Sequence, residues 1–540
     1  MSKVLKAIAS VAAVVASVAL IASGVGSALG TTLLIGTLKV STIAAVAGAV
    51  ATVASLGASL LAQPPPAQGN ISQVLIGANA PTPYPMGRTA IGGVLVHDRG
   101  YGPTTNKVPN PYRTQVLVLS GVRINSIQAT LGDLNSIAFS GGAATGYFSG
   151  FLNRDTQLGL TPESDALAGP YGAIPDWSSA HKLSGKAAVM LTAKFDRAGK
   201  KFASGLPQWL HVVEGVWAYD PRLDSTVAGS SGTQRINDET TWSYTVNPAL
   251  HALTYAIGRR QNDVLVFGPG YRVGAVDIGR IIPWANVCDA NGWSVGGAIY
   301  EPGDAWANLK KICAAGGGEP IAGPVLTWRY RAPQAPLFRV TADDLADGDI
   351  SVAAMQSRRE RMNSVVPEYR SEAHQWEYVQ AEAVSDASYV TEDGEDRPEV
   401  FRMDLVQDVD QAAQLAAYKL VDGRESGTIE LTLKPRFGDF NPGQVGTIHI
   451  PEAGLVEQDV MILDRAFDPS SGTVQWKVIS ENPDKHDFAL GVTGTAPPTF
   501  SIRTNEEIDD VAGALLDQSA QSRTLIQNSF PVGLTITPGP

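Results

Sequence analysis

Residues 7–62 carry one charged side chain, Lys39, and are otherwise built from Ala, Val, Gly, Ser, Leu, Ile and Thr. Such a stretch cannot lie in water along its length; it has to be covered by lipid or by protein. Its two parts, 7–38 and 40–62, each exceed the roughly 20 helical residues that cross a hydrocarbon layer about 30 Å thick. Three readings fit. Lys3 and Lys6 ahead of an apolar run, with Gly26 and Ala28 beyond, imitate a secretory leader, although the apolar run continues where a mature start should turn polar. A membrane hairpin fits the length, against glycines at 24, 26, 30 and 36 that each weaken a helix by up to about 1 kcal/mol relative to Ala. The third is a plug, buried against copies of itself in an oligomer. Gly26 and Gly30, four residues apart, are the candidate helix-packing positions because they let backbones approach closely. Pro64-Pro65-Pro66 closes the segment as a helix stop and opens a linker.

A chain of 540 residues has room for three or four domains at roughly 100–200 residues each. Its formal charge of −12 argues against generic attraction to nucleic acid or an anionic membrane surface, and no sequence-specific nucleic-acid partner is expected. Two cysteines, Cys288 and Cys313, are too few for a disulfide scaffold or a four-cysteine metal site. With 55 Gly and 34 Pro, the body reads as turn-rich and strand-rich.

Short alternating runs at 91–96, 115–119, 137–139, 189–195 and 209–219 read as strands of an antiparallel sheet, and 153–177, lacking a period, as a long loop or insertion. Asn247 reads as an N-cap and Pro248 as the first helical residue, with Leu250, Leu253 and Ile257 on one face and Gly258 as the stop. A second helix is expected over 304–315, where Trp306, Leu309 and Cys313 share a face, and a third after a cap at Asp410, with a stripe of Ala412, Leu415, Ala416 and Leu420. Strands are expected next at 428–433, 445–450, 460–466 and 474–479, then a helix within 505–526. The expected fold class is α+β, mainly β: several small β-rich domains with short helices behind an apolar helical segment. The expected divisions are 1–63, a Pro-rich linker 64–87, then 88–258, 259–335, 336–408, 409–490 and a C-terminal helix and tail 491–540.

No H-E-x-x-H or G-x-x-x-x-G-K-[ST] string occurs. Gly292-Trp293-Ser294-Val295-Gly296 has the spelling of a hydrolase elbow, but Asp289-Ala290-Asn291 ahead of it reads as a turn and the residues after it as a strand, the wrong context for that chemistry. Gly268-Pro269-Gly270 is misspaced for a dinucleotide loop, and Pro269 removes a donor a phosphate would need. The acidic groups at 343–349 and 392–396 lack a calcium-loop pattern and read as solvated turns, the second as a hairpin tip. Cys288 and Cys313 read as packed thiols, and the tryptophans between 284 and 328 as core residues. No catalytic residue, metal or cofactor is expected. Two competing functions remain, a glycan-cleaving enzyme carried on a virion and a membrane-anchored bacterial surface protein.

The run Val216-Trp217-Ala218-Tyr219-Asp220-Pro221-Arg222 is followed by Thr241-Trp242-Ser243-Tyr244-Thr245-Val246-Asn247-Pro248-Ala249-Leu250, then by Ile282-Pro283-Trp284-Ala285-Asn286-Val287-Cys288-Asp289. In order and content these strings resemble the tail-tip hub proteins of long-tailed bacteriophages, the lambda-type tip attachment or host specificity proteins and their gene-transfer-agent relatives. The helix and glycine turn at 308–318, the opening strand at 87–94, and 411–419 with Pro442-Gly443-Gln444-Val445 extend the likeness over about 88–481. The resemblance implies β-rich hub domains in a homotrimer that closes the tail tube at the virion's tail tip, assembled in the host cytoplasm. It implies contacts with the distal tail protein, the tape-measure protein and tail fibre or receptor-binding proteins, and a role in gating DNA ejection. Trp217, Asp220, Arg222, Trp242, Asn247, Pro248, Trp284 and Cys288 are its structural motif residues. It favours the plug for 7–62, with the host membrane as a contact during ejection. The chain ends soon after the last hub-like unit, so receptor recognition falls to another protein.

Overall fold

The computed structural model describes residues 80–512 except 262, 301–302, 347–349, 353–361, 426 and 500–501, together with three two-residue strands nearer the N-terminus. The chain divides into two units, 1–70 and 71–540. In the first, the strands Leu34–Ile35 and Leu38–Lys39 pair antiparallel across Gly36-Thr37. These four residues are extended where the sequence reading continues helix to Leu38. The helical expectation for the rest of this segment, and the packing of Gly26 and Gly30, lie outside the described residues. Among the described residues no helix is long and apolar enough to cross a membrane.

The second unit is α+β and mainly β. A seven-stranded sheet runs in the order 139–140, 143–144, 152–158, 187–194, 112–120, 94–101, 75–76. The long strand Trp209–Ala218 belongs to a second sheet, pairing with Ile124–Gly132 and with Arg88–Ile91. Residues 187–193 and 209–213 are buried without interruption, so these strands are covered on both faces. Three helices come next: α1 (Pro248–Ile257), buried along its whole length, α2 (Ile278–Asn291) and α3 (Ala305–Ala315). A four-stranded sheet around Ser364–Ser371 has α4 (Ala387–Asp393) inserted before its last strand, Pro398–Arg402, and α5 (Val409–Asp422) follows. A six-stranded sheet has the order 339–341, 445–450, 455–468, 473–480, 429–433, 351–352, and α6 (Asp484–Leu490) comes after it.

Two main cores result. One is continuous from Tyr84 to Ala489 and holds the helices. The other lies on the six-stranded sheet, where Phe338, Phe437 and Trp476 meet edge to face.

Several local expectations are corrected. The run 91–96 is split: Arg88–Ile91 joins one sheet and Val94–Tyr101 another. Within 153–177, Leu152–Leu158 is a strand paired over seven residues with Ala187–Lys194; its polar side chains hide the period because Asn153, Arg154 and Gln157 find partners after folding. Residues 289–291 are the last of α2 rather than a separate turn. Asp408, not Asp410, caps α5 by accepting from Gln411 N, while Asp410 accepts from Gly494 N. The acidic stretch at 392–396 is no hairpin tip: it ends α4, and Asp393 is buried, ion-paired with Arg424 and bonded to Asn363. Asp344, expected in a solvated turn, is buried and accepts from Thr341 N at 2.9 Å.

Candidate functional site

The long strand Trp209–Ala218 delivers the chain to Asp220, whose carboxylate caps a short 3-10 turn by accepting from Arg222 N at 2.9 Å. The same carboxylate holds the Arg222 guanidinium in a two-point contact, Nε to Oδ1 at 2.9 Å and Nη2 to Oδ2 at 2.8 Å. The remaining Nη1 reaches α2, donating to Asn286 Oδ1 at 2.8 Å and Asp289 Oδ2 at 2.7 Å. Asp289 uses its other oxygen to accept from Asn247 Nδ2 at 2.7 Å. Asn247 in turn caps α1 through Oδ1 and donates to Ala285 O at 2.8 Å. One chain of charge-assisted hydrogen bonds thus fixes strand, 3-10 turn, α1 and α2 against each other. Hydrogen bonding to Asp220, opposed by partial burial and reinforced by Asp289, raises the Arg222 pKa above the usual guanidinium value.

Beneath this polar layer Trp284 is fully buried and donates from Nε1 to Gly316 O at 2.8 Å, its ring parallel to that of Tyr330. A Cβ on Gly318 would stand 2.3 Å from the Trp284 ring, so the turn after α3 has to be glycine for α2 to seat there. Cys288 and Cys313 are buried, free thiols; burial pushes Cys288 up to about 12 and Cys313 well above the ordinary thiol range, which leaves both protonated and unreactive at neutral pH.

Of the residues singled out from sequence, Asp220, Arg222, Asn247, Pro248, Trp284 and Cys288 converge on this junction. Trp217 and Trp242 instead line a neighbouring cavity of about 880 Å³. Sequence reasoning missed Asn286 and Asp289 as site residues, although two polar side chains three apart on an otherwise apolar segment put them on one helix face. It also missed Gln411, buried on α5, which clasps Ser294 through both backbone groups and donates to Ala315 O; no local signal marks it. That clasp settles the serine string: it runs helix, turn, strand, the reverse of an elbow. Among the described residues no group of His, Cys, Asp and Glu could hold a metal ion.

The arrangement is a mechanical joint, with its charges matched and its aromatic rings packed. The fold is similar to that of a virion protein chain. The solved structure is the virion of the native gene transfer agent (GTA) particle; the match has a TM-score of 0.51 and 16% identity, and covers 85% of this chain and 99% of that one. No protein-family model and no curated protein matches the chain. At 16% identity the likeness is one of fold.

Proposed function

We propose that the chain is a structural component of a phage-type virion, the hub of the tail tip. In this reading three copies surround the end of the tail tube, meet the distal tail and tape-measure proteins, organise fibres or receptor-binding proteins, and gate DNA release. The observation that carries it is the shared fold, which takes in nearly the whole of the gene transfer agent virion chain. The order of the Trp217–Arg222, Trp242–Leu250 and 282–289 strings supports the more specific place at the tip. A hub works by holding its shape under load, and the Arg222 joint supplies rigidity without a reacting group: every polar atom named there is matched to another protein atom. The expected divisions at 88–258, 259–335, 336–408 and 409–490 are retained as proposed hub domains, and 7–62 as a plug shared among copies. Electron microscopy of intact particles tests the reading directly. Three copies at the end of the tube are expected; density in the capsid, or no copy in the particle, overturns it.

A further inference from the structure

The cavity beside the joint is lined by Arg123, Arg259, Arg260 and Arg272 against two carboxylates, Glu239 and Asp263, in a chain whose net charge is −12. Arg259 is buried and engaged internally, with Glu239 at 2.6 Å and with Trp217 O at 2.9 Å. That pairing removes Glu239 from the balance and leaves three arginines facing one aspartate. Arg123 lies over the Trp217 ring, 3.7 Å from its centre, and its buried Nε has no hydrogen-bond partner among the described residues. The ring is itself tethered by Nε1 to Asn125 Oδ1 at 3.1 Å. A guanidinium held this way has already lost its rotational freedom, which lowers the cost of binding an anion.

The rim has a different character. Val264 and Leu265, 64% and 40% exposed, stand on a two-stranded hairpin, Arg259–Gln261 with Val264–Phe267, and Leu160 is exposed on the cavity wall. Among the described residues each hairpin strand pairs only with the other; Glu239 accepts from Arg260 N on the first strand, so the edge left for an added strand is that of Val264–Phe267.

We propose that this cavity and hairpin bind an extended acidic peptide segment of another protein, its carboxylates on Arg123, Arg260 and Arg272 and an apolar side chain over Val264. The chain's own longer stretches outside the described residues do not have this chemistry. Residues 1–79 hold no Asp or Glu, 513–540 hold Asp517 against Arg523, and 353–361 hold three arginines against Glu360. The segment therefore comes from a neighbour, whichever assembly the chain occupies, so the inference stands apart from the tail-tip reading.

Fluorescence anisotropy with the full-length chain and a short labelled peptide alternating glutamate and valine tests it. Saturable binding is expected, weaker in high salt and weakened about tenfold or more by Arg260→Glu with Arg272→Glu, since a charge-assisted hydrogen bond contributes about 1.5–3 kcal/mol. Both arginines are exposed, so the double variant should melt at the parent temperature. Val264→Asp should also weaken binding, with the arginines intact. A lysine-valine peptide should not bind. Unchanged affinity in the double variant overturns the proposal, as does a heparin-derived oligosaccharide that binds more tightly than the peptide through the same arginines.

Discussion

The two cores solve the same problem, burying a β-sheet, by different means. In the six-stranded sheet, Ile429–Leu433, Val445–Ile450 and Thr473–Ser480 turn alternate residues inward, so Leu431, Ile448, Trp476 and Val478 are buried while Glu430, Gln475 and Lys477 face out. Along these three strands the second face is left largely open. In the other core, the central strands are covered on both faces, and polar side chains are drawn inside with their backbones. His211 sits fully buried on Trp209–Ala218, its Nδ1 3.1 Å from Thr130 Oγ1, which also accepts from Arg154. His251 is buried on α1 and bonded to Thr245 O at 2.8 Å. A sheet with one wet face sorts its residues by polarity; a sheet buried on both sides has to satisfy whatever polar groups it encloses.

The difference between the cores is most sharply tested by truncating their two anchors. Trp284→Ala and Trp476→Ala should each cost about 3–5 kcal/mol by chemical denaturation, because both leave cavities in close-packed surroundings. A cost below about 1 kcal/mol in either would mean that its core relaxes around the loss, against the packing described. Acid should then separate them. Burial lowers His211 to about 3 and His251 to about 4, so the folded state holds both neutral while the unfolded chain protonates them near 6.5. Their contribution is complete above that pH and is lost as pH falls from 6.5 toward 4, each by on the order of 1 kcal/mol per pH unit. His211→Leu should flatten part of this slope in urea titrations; a slope identical to the parent would show that His211 is not held neutral.

Gly318→Ala should cost about 1–3 kcal/mol by overpacking against Trp284, and pairing it with Trp284→Ala should recover most of that cost. Independent, additive effects would break the link between the glycine turn and α2. The smallest effect belongs to the polar layer: Arg222→Lys keeps the charge but loses the two-point grip on Asp220 and the reach to Asp289, about 1 kcal/mol in thermal unfolding. No shift there would make the joint an ornament of the surface.

The same contrast explains what could be read in advance. The four strands between 428 and 480 are legible because alternation survives in the sequence, and α1 and α3 because Asn247-Pro248 and Asp304 write their starts locally. Leu152–Leu158 is illegible because Asn153, Arg154 and Gln157 are satisfied by partners 18 to 25 positions away, such as Lys182 O for Gln157. The joint is half legible. Its residues form recognisable strings, but the Arg222 contacts with Asn286 and Asp289 span 64 and 67 positions, and no local period encodes them.

The sequence by itself determined the β-rich class, the starts of α1 and α3 and the burial of both thiols, since propensity, capping and hydropathy act over a few residues. Only the tertiary structure decided that Asp220, Arg222, Asn247 and Asp289 form one connected chain, that Gln411 clasps Ser294, and that arginines from separate places in the chain share a cavity with Trp217. Hydrogen bonds and charge act through space over a few ångströms, and folding alone chooses which residues come that close.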